Sequence, residues 1–350
     1  MQEHLARREV GVTLFDREHE RAAIERCLQE RGRRVVLITG VPGIGKSSLL
    51  RETVDARPEF VLAATGSPAG AAVPFGTVRA LFAPLARSRA VGEMPFDGPG
   101  AVLHSIATDT TTPSDLGAIV YGLQWALASL ADDRGVVRAL ADAQWLDDAS
   151  GDVLGAALAQ AADERIIGIV AIRDSADHNR ATAEAQLRSL ADAIVTPRPL
   201  SRGAVAALLG PMASEAGRVH ELTGGVPFSV TEIATAIAAG ERLAPSPRLL
   251  ESITARLARL GHDATAVAKA VAVLGPEASV RRAAALAEAP ILTLDPVLRS
   301  LVAEGILLDG DRDGVLALAH PLIGEAIIAG IGPVALQNER DHAARVLLDE

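Results

Sequence analysis

The sequence contains the octapeptide Gly40-Val41-Pro42-Gly43-Ile44-Gly45-Lys46-Ser47, which matches the spacing G-x-x-x-x-G-K-[ST] at every fixed position. The apolar run Val35-Val36-Leu37-Ile38 precedes it and has the composition of a buried parallel strand. The segment Ser48-Leu49-Leu50-Arg51-Glu52 follows it and has helical character. Since a strand, a glycine-rich loop and a helix in this order form a phosphate-binding loop, the segment predicts a bound nucleotide.

Each residue type in this loop has a chemical role. Glycines allow the backbone to turn tightly and to direct its N–H groups at phosphate oxygens, and the following helix adds the positive end of its dipole. Lys46 supplies a mobile charge for the β- and γ-phosphates, and the Ser47 hydroxyl is suited to ligate Mg²⁺. We therefore assign Gly40 through Ser47, together with Ser48, to cofactor binding, and we expect ATP or ADP with Mg²⁺. The motif itself does not select the base or the reaction.

The composition indicates a large aliphatic core and excludes several classes of partner. Of the 350 residues, 49% are hydrophobic and only 3% are aromatic. The net charge of −10 argues against holding a nucleic acid by charge alone. A single cysteine, Cys27, excludes an internal disulfide, and the charged N-terminus lacks the apolar core of a signal peptide. No apolar run reaches the roughly 20 residues of a membrane span, so we expect a cytoplasmic protein with no membrane partner.

The order of the segments predicts an α/β domain followed by mainly helical domains. Strand-like runs at 35–38, 60–64, 136–140 and 166–172 alternate with helical segments, which predicts a P-loop NTPase parallel sheet with helices on both faces. Two apolar runs at 306–308 and 315–318 flank a turn rich in Asp and Gly and predict a β-hairpin, which after helices is typical of a winged-helix domain. We place a P-loop nucleotide-binding domain at 1–198, a helical lid at 199–245, a winged-helix domain at 246–330 and the start of a following helical module at 331–350.

Further short motifs follow one another in a fixed order along the chain. They are Leu14-Phe15-Asp16-Arg17-Glu18-His19-Glu20, Val73-Pro74-Phe75-Gly76, Asp142-Ala143-Gln144-Trp145-Leu146-Asp147, Ala171-Ile172-Arg173, Leu222-Thr223-Gly224-Gly225-Val226-Pro227-Phe228 and Ala319-His320-Pro321-Leu322-Ile323. Together with the phosphate loop, this order resembles the STAND-type AAA-like ATPases, specifically the ATPase region of the large LuxR-family (LAL, MalT-like) transcriptional activators. The resemblance extends from about residue 14 to the C-terminus.

The resemblance implies a regulatory switch driven by nucleotide. In that family ADP holds a closed form, and ATP with a small-molecule or protein inducer opens it and promotes self-association. The helical sensor repeats and the DNA-binding helix-turn-helix of the family are not in this sequence, which would make the chain a fragment or a shortened relative. We therefore expect no direct nucleic acid binding by this chain.

The resemblance also implies roles for four residues outside the loop. Arg17 would approach the base or ribose, Pro227 the adenine, Arg173 the γ-phosphate, and His320 the β-phosphate of ADP in the closed state. Each has a plainer alternative. Arg17 and His320 can simply begin helices, Pro227 can be the first residue of a helix, and Arg173 can be a solvated loop arginine.

The sequence departs from the family pattern where two acidic residues normally end the Walker B strand. Ala141 and Asp142 occupy these positions, so Asp142 is the remaining candidate for catalysis and, with Ser47, for Mg²⁺. Either Asp142 takes over part of the metal work and hydrolysis survives slowly, or the chain binds nucleotide with little or no hydrolysis. We expect weak or absent hydrolysis. The alternatives are a turnover AAA-type ATPase and a non-hydrolysing pseudo-ATPase scaffold.

Three further polar residues near this strand carry expectations of their own. Arg138 stands where the strand should be apolar, and we expect it to snorkel to solvent or to pair with a carboxylate. Asp147 and Asp148 are candidates for alternative acids of the site, but we expect them to be surface residues that cap the next helix.

Overall fold

The computed structural model describes residues 14–30, 32–57, 59–87, 94–108, 115–131, 135–160, 166–173, 181–238, 247–308, 314–319 and 321–348. The chain divides into two compact units. The first contains the described residues up to Gly40, then Gly45–Arg173 and those up to Pro197; the second contains Val41–Ile44 and the described residues from Arg198 onward. The finer subdivision of the second unit into a lid and a winged-helix domain stays a prediction.

The first unit is built on a parallel sheet. In the described part of the chain the sheet has five strands, β1 (Arg34–Ile38), β2 (Phe60–Thr65), β3 (Val136–Ala141), β4 (Ile166–Ala171) and β5 (Ala193–Val195), in the spatial order β2-β3-β4-β1-β5. All neighbouring strands are parallel. The predicted parallel α/β fold is confirmed, and four strands lie where the sequence placed them. The prediction missed β5, which is a three-residue edge strand.

Eight helices accompany this sheet within the described residues. They are α1 (Glu18–Gln29), α2 (Lys46–Asp55), α3 (Pro68–Ala71), α4 (Gly76–Ala86), α5 (Ala101–Ala107), α6 (Leu116–Ala131), α7 (Asp148–Ala159) and α8 (Ala181–Leu190), with short 3₁₀ turns at Met94–Phe96, Gly98–Gly100 and Ala143–Trp145. On one face of the sheet, Ile169 packs in a cluster with Ile24 of α1 and Leu49 of α2. On the other face, Val136 packs in a cluster with Phe82 of α4. Because side chains alternate between the two faces of a strand, both faces are covered by apolar helices.

The central strand β3 carries a buried cation. Arg138 lies between Leu62 of β2 and Gly168 of β4 and is 7% exposed. Its Nη1 and Nη2 atoms have no hydrogen-bond partner. Burial, and to a smaller extent the neighbouring Arg33 guanidinium, lower the pKa of Arg138 from its ordinary value to about 10. The expectation that Arg138 reaches solvent or pairs with a carboxylate is therefore wrong for the described residues, because the middle of a covered strand offers no path to the surface.

The second unit is helical in the part that the structure describes. Its helices are α9 (Arg202–Leu209), α10 (Ala216–Thr223), α11 (Pro227–Ala238), α12 (Pro247–Leu260), α13 (His262–Leu274), α14 (Val280–Leu286), α15 (Leu294–Ala303), α16 (Pro321–Ala329) and α17 (Pro333–Leu348), with 3₁₀ turns at Gly210–Glu215, Gly275–Glu277 and Ile291–Thr293. The helix α13 packs against α12 and against each of α14 to α17, so it forms the centre of this part of the unit. No helix in the described ranges combines the length and the apolarity needed to cross a bilayer.

At the predicted hairpin the structure has isolated antiparallel bridges. One joins Leu307 to Leu318, and a second joins Ser279 to Val315. Residues 309–313, which contain the predicted turn, lie outside the described residues. The two runs flanking the turn are thus paired antiparallel at one point, and the winged-helix assignment stays a prediction.

Candidate nucleotide-binding site

The glycine loop lies between the carboxyl end of β1 and the start of α2. Its glycines adopt backbone angles that side chains disfavour, with φ of +79° at Gly43 and +99° at Gly45. Gly45 is the N-cap residue of α2. Because residues with a Cβ rarely adopt such angles, the glycine spacing of the motif is a direct requirement of the loop geometry. The loop backbone therefore has the shape that places N–H groups around a phosphate.

Lys46 is the first residue of α2 and its side chain is largely buried, at 7% exposure. Its Nζ donates a hydrogen bond of 2.7 Å to the carbonyl oxygen of Gly40. This bond links the two ends of the loop through the ammonium group. Ser47 follows on the same helix and is exposed, and Ser48 is half-buried. The loop thus presents a fixed cation and an accessible hydroxyl from one helix turn, which are the groups that bind phosphate and Mg²⁺ in such loops.

The tip of the loop, Val41–Ile44, has its contacts within the second unit. There, the backbone N–H of Phe228 donates a hydrogen bond of 3.2 Å to the carbonyl oxygen of Gly43. A Cβ atom at Gly43 would lie 3.0 Å from the Phe228 Cβ, so the contact requires glycine at this position. Pro227 is the first residue of α11, as its plainer alternative stated, and it positions Phe228 for this contact.

Two consecutive glycines shape the chain before α11. Gly224 and Gly225 both have left-handed backbone angles, with φ of +57° and +73°. The carbonyl of Gly225 accepts a hydrogen bond of 2.8 Å from the Leu200 N–H, and its own N–H donates to the Thr223 hydroxyl at 3.2 Å. A Cβ at Gly225 would collide with the Leu200 carbonyl oxygen. The Thr-Gly-Gly part of the motif is therefore explained by the fold of the second unit.

At the end of β3 the structure brings the two predicted catalytic residues together. Asp142 adopts a left-handed conformation with φ of +51°, directly after the strand. The Nε atom of Arg173 lies 4.0 Å from its Oδ1 oxygen. Since β3 and β4 are adjacent and parallel, with Leu140 paired to Val170, residues beyond their carboxyl ends become neighbours. Both side chains are about one third exposed, at 33% for Asp142 and 28% for Arg173, so they remain accessible to a ligand.

Gln144 connects these two residues, although no role was predicted for it from the sequence. Its Nε2 donates a hydrogen bond of 3.0 Å to the Asp142 carboxylate, and its Oε1 accepts one of 3.2 Å from the backbone N–H of Arg173. The side-chain amide therefore fixes the carboxylate of one strand end to the backbone of the next. An uncharged polar residue two positions after a strand-terminal acid was the available signal, because carboxyl ends of parallel strands are where ligands bind.

The metal-binding capacity of the site is small. Ala141 ends β3 and offers no oxygen ligand from its side chain. Among the described residues, no three His, Cys, Asp or Glu side chains are gathered as a metal site. Mg²⁺ commonly takes only one or two protein ligands and completes its shell with phosphate oxygens and water. The predicted ligands Ser47 and Asp142 would therefore suffice for Mg²⁺ only together with the nucleotide phosphates, and their role as ligands stays a prediction.

Of the two remaining predicted ligand contacts, the structure describes Arg17 but not His320. Arg17 is the N-cap residue of α1 and is 3% exposed. Its guanidinium lies 3.7 Å from the carboxylate of Glu20 and donates to the carbonyl of Asp16 at 3.1 Å. The structure therefore places Arg17 in a buried ion pair at a helix start, and its role at the base stays a prediction. His320 lies outside the described residues.

Asp147 organises the motif at residues 73–76. It is 3% exposed, and its carboxylate accepts hydrogen bonds from the backbone N–H groups of Phe75 at 2.8 Å, Thr77 at 2.9 Å and Ser150 at 2.9 Å. The bond to Ser150 confirms that Asp147 caps α7. The expectation that it is a surface residue is wrong, because the same carboxylate also binds the start of α4. Asp148, in contrast, is exposed in the first turn of α7.

Comparisons with known proteins agree with this geometry. The family model of the AAA ATPase domain matches residues 13–172. No curated protein matches the sequence significantly. Among solved structures, a Walker-type ATPase of Pyrococcus abyssi has a TM-score of 0.62 at 16% sequence identity, over 90% of this chain and 96% of that chain. The Aeropyrum pernix ORC2 protein, solved as ADPNP–ADP complexes, has a TM-score of 0.50 at 14% identity, over 96% of this chain and 95% of that chain.

A STAND protein with a tetratricopeptide repeat sensor from Pyrococcus horikoshii is also similar, with a TM-score of 0.38 at 14% identity over 97% of this chain and 46% of that chain. At these identities the structural similarities establish the fold alone. The sheet order, the glycine loop and the family match lead to the same conclusion. Residues 13–172 of this chain match the AAA ATPase domain and have a P-loop NTPase-like fold.

Proposed function

We propose that this chain is an ATP- and ADP-binding regulatory switch, the STAND-type ATPase module of a LuxR-family transcriptional regulator, with weak or absent hydrolysis. One observation carries this proposal. The phosphate loop is complete in sequence and in backbone geometry, whereas the end of β3 has only one acid, with alanine at position 141. A site that retains nucleotide but cleaves it slowly suits a switch, because the bound nucleotide then persists as a signal.

The chemistry of the site supports a nucleotide that is bound firmly but cleaved slowly. Lys46 and the loop amides bind the phosphates, and Ser47 with Asp142 holds Mg²⁺ when the nucleotide is bound. Asp142 must then serve both the metal and the attacking water, while Gln144 holds its carboxylate in place at 3.0 Å. A carboxylate committed to other partners is a poor general base, so the proposed rate of hydrolysis is low.

The switch itself is a shift between two populations. A ligand moves such an equilibrium only by its difference in affinity for the two states. We propose that the lid at 199–245 and the winged-helix domain at 246–330 favour the ADP state through Pro227 and His320. The ATP state, with an inducer of unidentified chemistry, would favour self-association. The order of the motifs along the sequence supports this part.

The first experiment identifies the nucleotide retained by the purified chain, by denaturing extraction and anion-exchange chromatography. We expect ADP at close to one equivalent, and none in the Lys46→Ala variant. An empty site in the unmodified chain would contradict a switch whose resting state retains ADP. If Lys46→Ala changed neither nucleotide retention nor oligomeric state, the switch would have to be abandoned in favour of a scaffold.

A second experiment separates the switch from a turnover enzyme. The rate of Mg²⁺-dependent ATP hydrolysis is measured for the unmodified chain, for Asp142→Asn and for Ala141→Asp. We expect a rate well below about 1 s⁻¹, the low end of ordinary enzyme turnover, and an increase in Ala141→Asp, which restores the second acid. A rate above that value that is lost in Asp142→Asn would establish a turnover ATPase instead.

A further inference from the structure

The second unit contains a cavity that is independent of the phosphate loop. The helices α13 and α17, with the end of α14, border this open cavity, which has a volume of about 440 Å³. This volume falls within the range of pockets that bind small molecules, about 300–1,000 Å³. Polar and apolar groups share its lining about equally, and the polar ones include Lys269 of α13 and His342 and Arg345 of α17. None of these three residues took part in the site described above.

The lysine in this cavity is unusual within this sequence. Lys46 and Lys269 are the two lysines of the chain, and every other residue among the 34 Lys and Arg is arginine. One is in the phosphate loop, and the other lines the cavity. A lysine ammonium is a compact, mobile charge, whereas guanidinium is planar and larger.

Lys269 is half-buried and has no hydrogen bond or ion pair among the described residues. Removing a cation from water without giving it a partner is unfavourable, and an anion in the cavity would compensate for that loss. Arg345 is exposed, its Nε donates to the backbone carbonyl of Asp341 at 3.3 Å, and it forms no ion pair with a carboxylate in the described part of the chain. Lys269 and Arg345 therefore present two cations to the cavity without a paired carboxylate in the described part of the chain.

Two carboxylates also line the cavity, and they limit the ligands it suits. Glu288, at the end of α14, is exposed, and Glu339 of α17 is half-buried. Within the described residues neither forms an ion pair with Lys269. These carboxylates repel an anion from their own side, so a small anion held by Lys269 and Arg345 fits better than a large polyanion.

We infer that this cavity is a binding site for a small anion carrying a carboxylate or a phosphate group. Lys269 and Arg345 supply the charge, and His342 and Asn338 supply hydrogen-bonding groups from the same face of α17. The inference does not depend on the proposed switch, because every residue it uses lies outside the phosphate loop.

Because the chain has only two lysines, a test that observes lysine side chains can follow Lys269 separately from Lys46. Labelling with [¹³Cε]-lysine gives one NMR signal for each of the two lysines, and Lys269→Arg assigns them. Saturating Mg·ADP occupies the phosphate loop, and Lys46 then serves as an internal control. Inorganic phosphate, acetate and sodium chloride of matched ionic strength are titrated separately, and the signal positions are recorded.

We expect the Lys269 signal to move and saturate with phosphate or acetate but not with chloride, while Lys46 stays in place. The anion of higher affinity identifies the chemistry of the ligand group. Arg345→Gln should weaken binding about tenfold, the loss expected for one charge-assisted hydrogen bond. Glu339→Gln should strengthen it. Arg340→Gln is the control, since Arg340 is exposed on the same helix and does not line the cavity.

Three results would overturn the inference. They are a Lys269 signal that responds to phosphate and acetate only as it does to chloride, equal affinities in the Arg345→Gln and Arg340→Gln variants, and no strengthening in Glu339→Gln. A response of Lys46 to phosphate under Mg·ADP would instead show that the loop is not filled, which counts against the proposed nucleotide function and not against this cavity.

Discussion

The replacement Arg138→Met should stabilise the first unit. Arg138 is in the centre of β3 with 7% exposure, and its two terminal nitrogens have no hydrogen-bond partner. Methionine has an unbranched side chain that can follow the course of the arginine stem and has no charge to desolvate. Replacing an uncompensated buried cation with an apolar residue of similar length is expected to raise the free energy of unfolding.

The magnitude follows from the lowered pKa of Arg138. Its pKa is about 10 in the folded chain, well below the ordinary value of arginine in water. At about 1.36 kcal/mol for each pKa unit, the charged form is disfavoured by about 3 kcal/mol in the folded state. Between pH 10 and the ordinary pKa of arginine, the unfolded chain binds more protons than the folded chain, so the stability of the unmodified chain rises with pH in this window. The increase in the free energy of unfolding caused by Arg138→Met should therefore have its full value at pH 7 and should become smaller above pH 10.

Urea unfolding followed by tryptophan fluorescence measures this effect. Both tryptophans of the sequence, Trp125 and Trp145, lie in the same unit as Arg138, so the signal reports on that unit. The control is Arg51→Met on α2, which removes an exposed arginine and should change stability by less than about 0.5 kcal/mol. If Arg138→Met were destabilising relative to Arg51→Met, the guanidinium must have a binding partner and the reasoning would be refuted.

Four further outcomes are expected. Asp147→Ala should lower the free energy of unfolding by about 3 kcal/mol or more because it leaves three buried N–H groups without an acceptor, whereas Asp148→Ala should have a small effect; equal effects in urea unfolding would contradict this. Gly225→Ala should destabilise the second unit by about 1–3 kcal/mol in calorimetry, because φ is +73° and a Cβ meets the Leu200 carbonyl. Gln144→Ala should reduce residual ATP hydrolysis about tenfold, as for one hydrogen bond to a charged group, with nucleotide affinity unchanged; a parallel loss of affinity would argue against a positioning role. Burial raises the pKa of the Cys27 thiol, so Cys27 should react with a disulfide reagent far more slowly in the folded chain than in urea.

The central part of the sheet was predictable from sequence because its strands are continuous apolar runs. The strands β1, β3 and β4 are buried on nearly every residue, and each was located from composition alone. The edge strand β5 was not, since three residues with one of them exposed carry almost no pattern. Local signals were also sufficient for the cap of α9, where the Ser201 hydroxyl accepts from the Ala204 N–H at 3.2 Å.

Residues whose role depends on distant partners could not be predicted. The burial of Asp147 follows from hydrogen bonds to Phe75 and Thr77, which are 72 and 70 residues away in sequence. Gln144 acquires its role only because the ends of β3 and β4 are adjacent. The misjudged Arg138 shows the same limit, because a carboxylate within reach is a property of the packed structure and not of the strand.

The sheet order also explains how binding and cleavage of nucleotide can vary separately. The glycine loop follows β1, the remaining acid follows β3, and β4 lies between these two strands. Replacing the acid at position 141 by alanine changes only the end of β3, so it leaves the backbone that cradles the phosphates intact. Arg173 follows the strand between them and, 4.0 Å from Asp142, is already engaged with the acid side of the site. We therefore expect Arg173 to be the residue whose position reports whether a γ-phosphate is present, since a phosphate group would compete with Asp142 for its guanidinium.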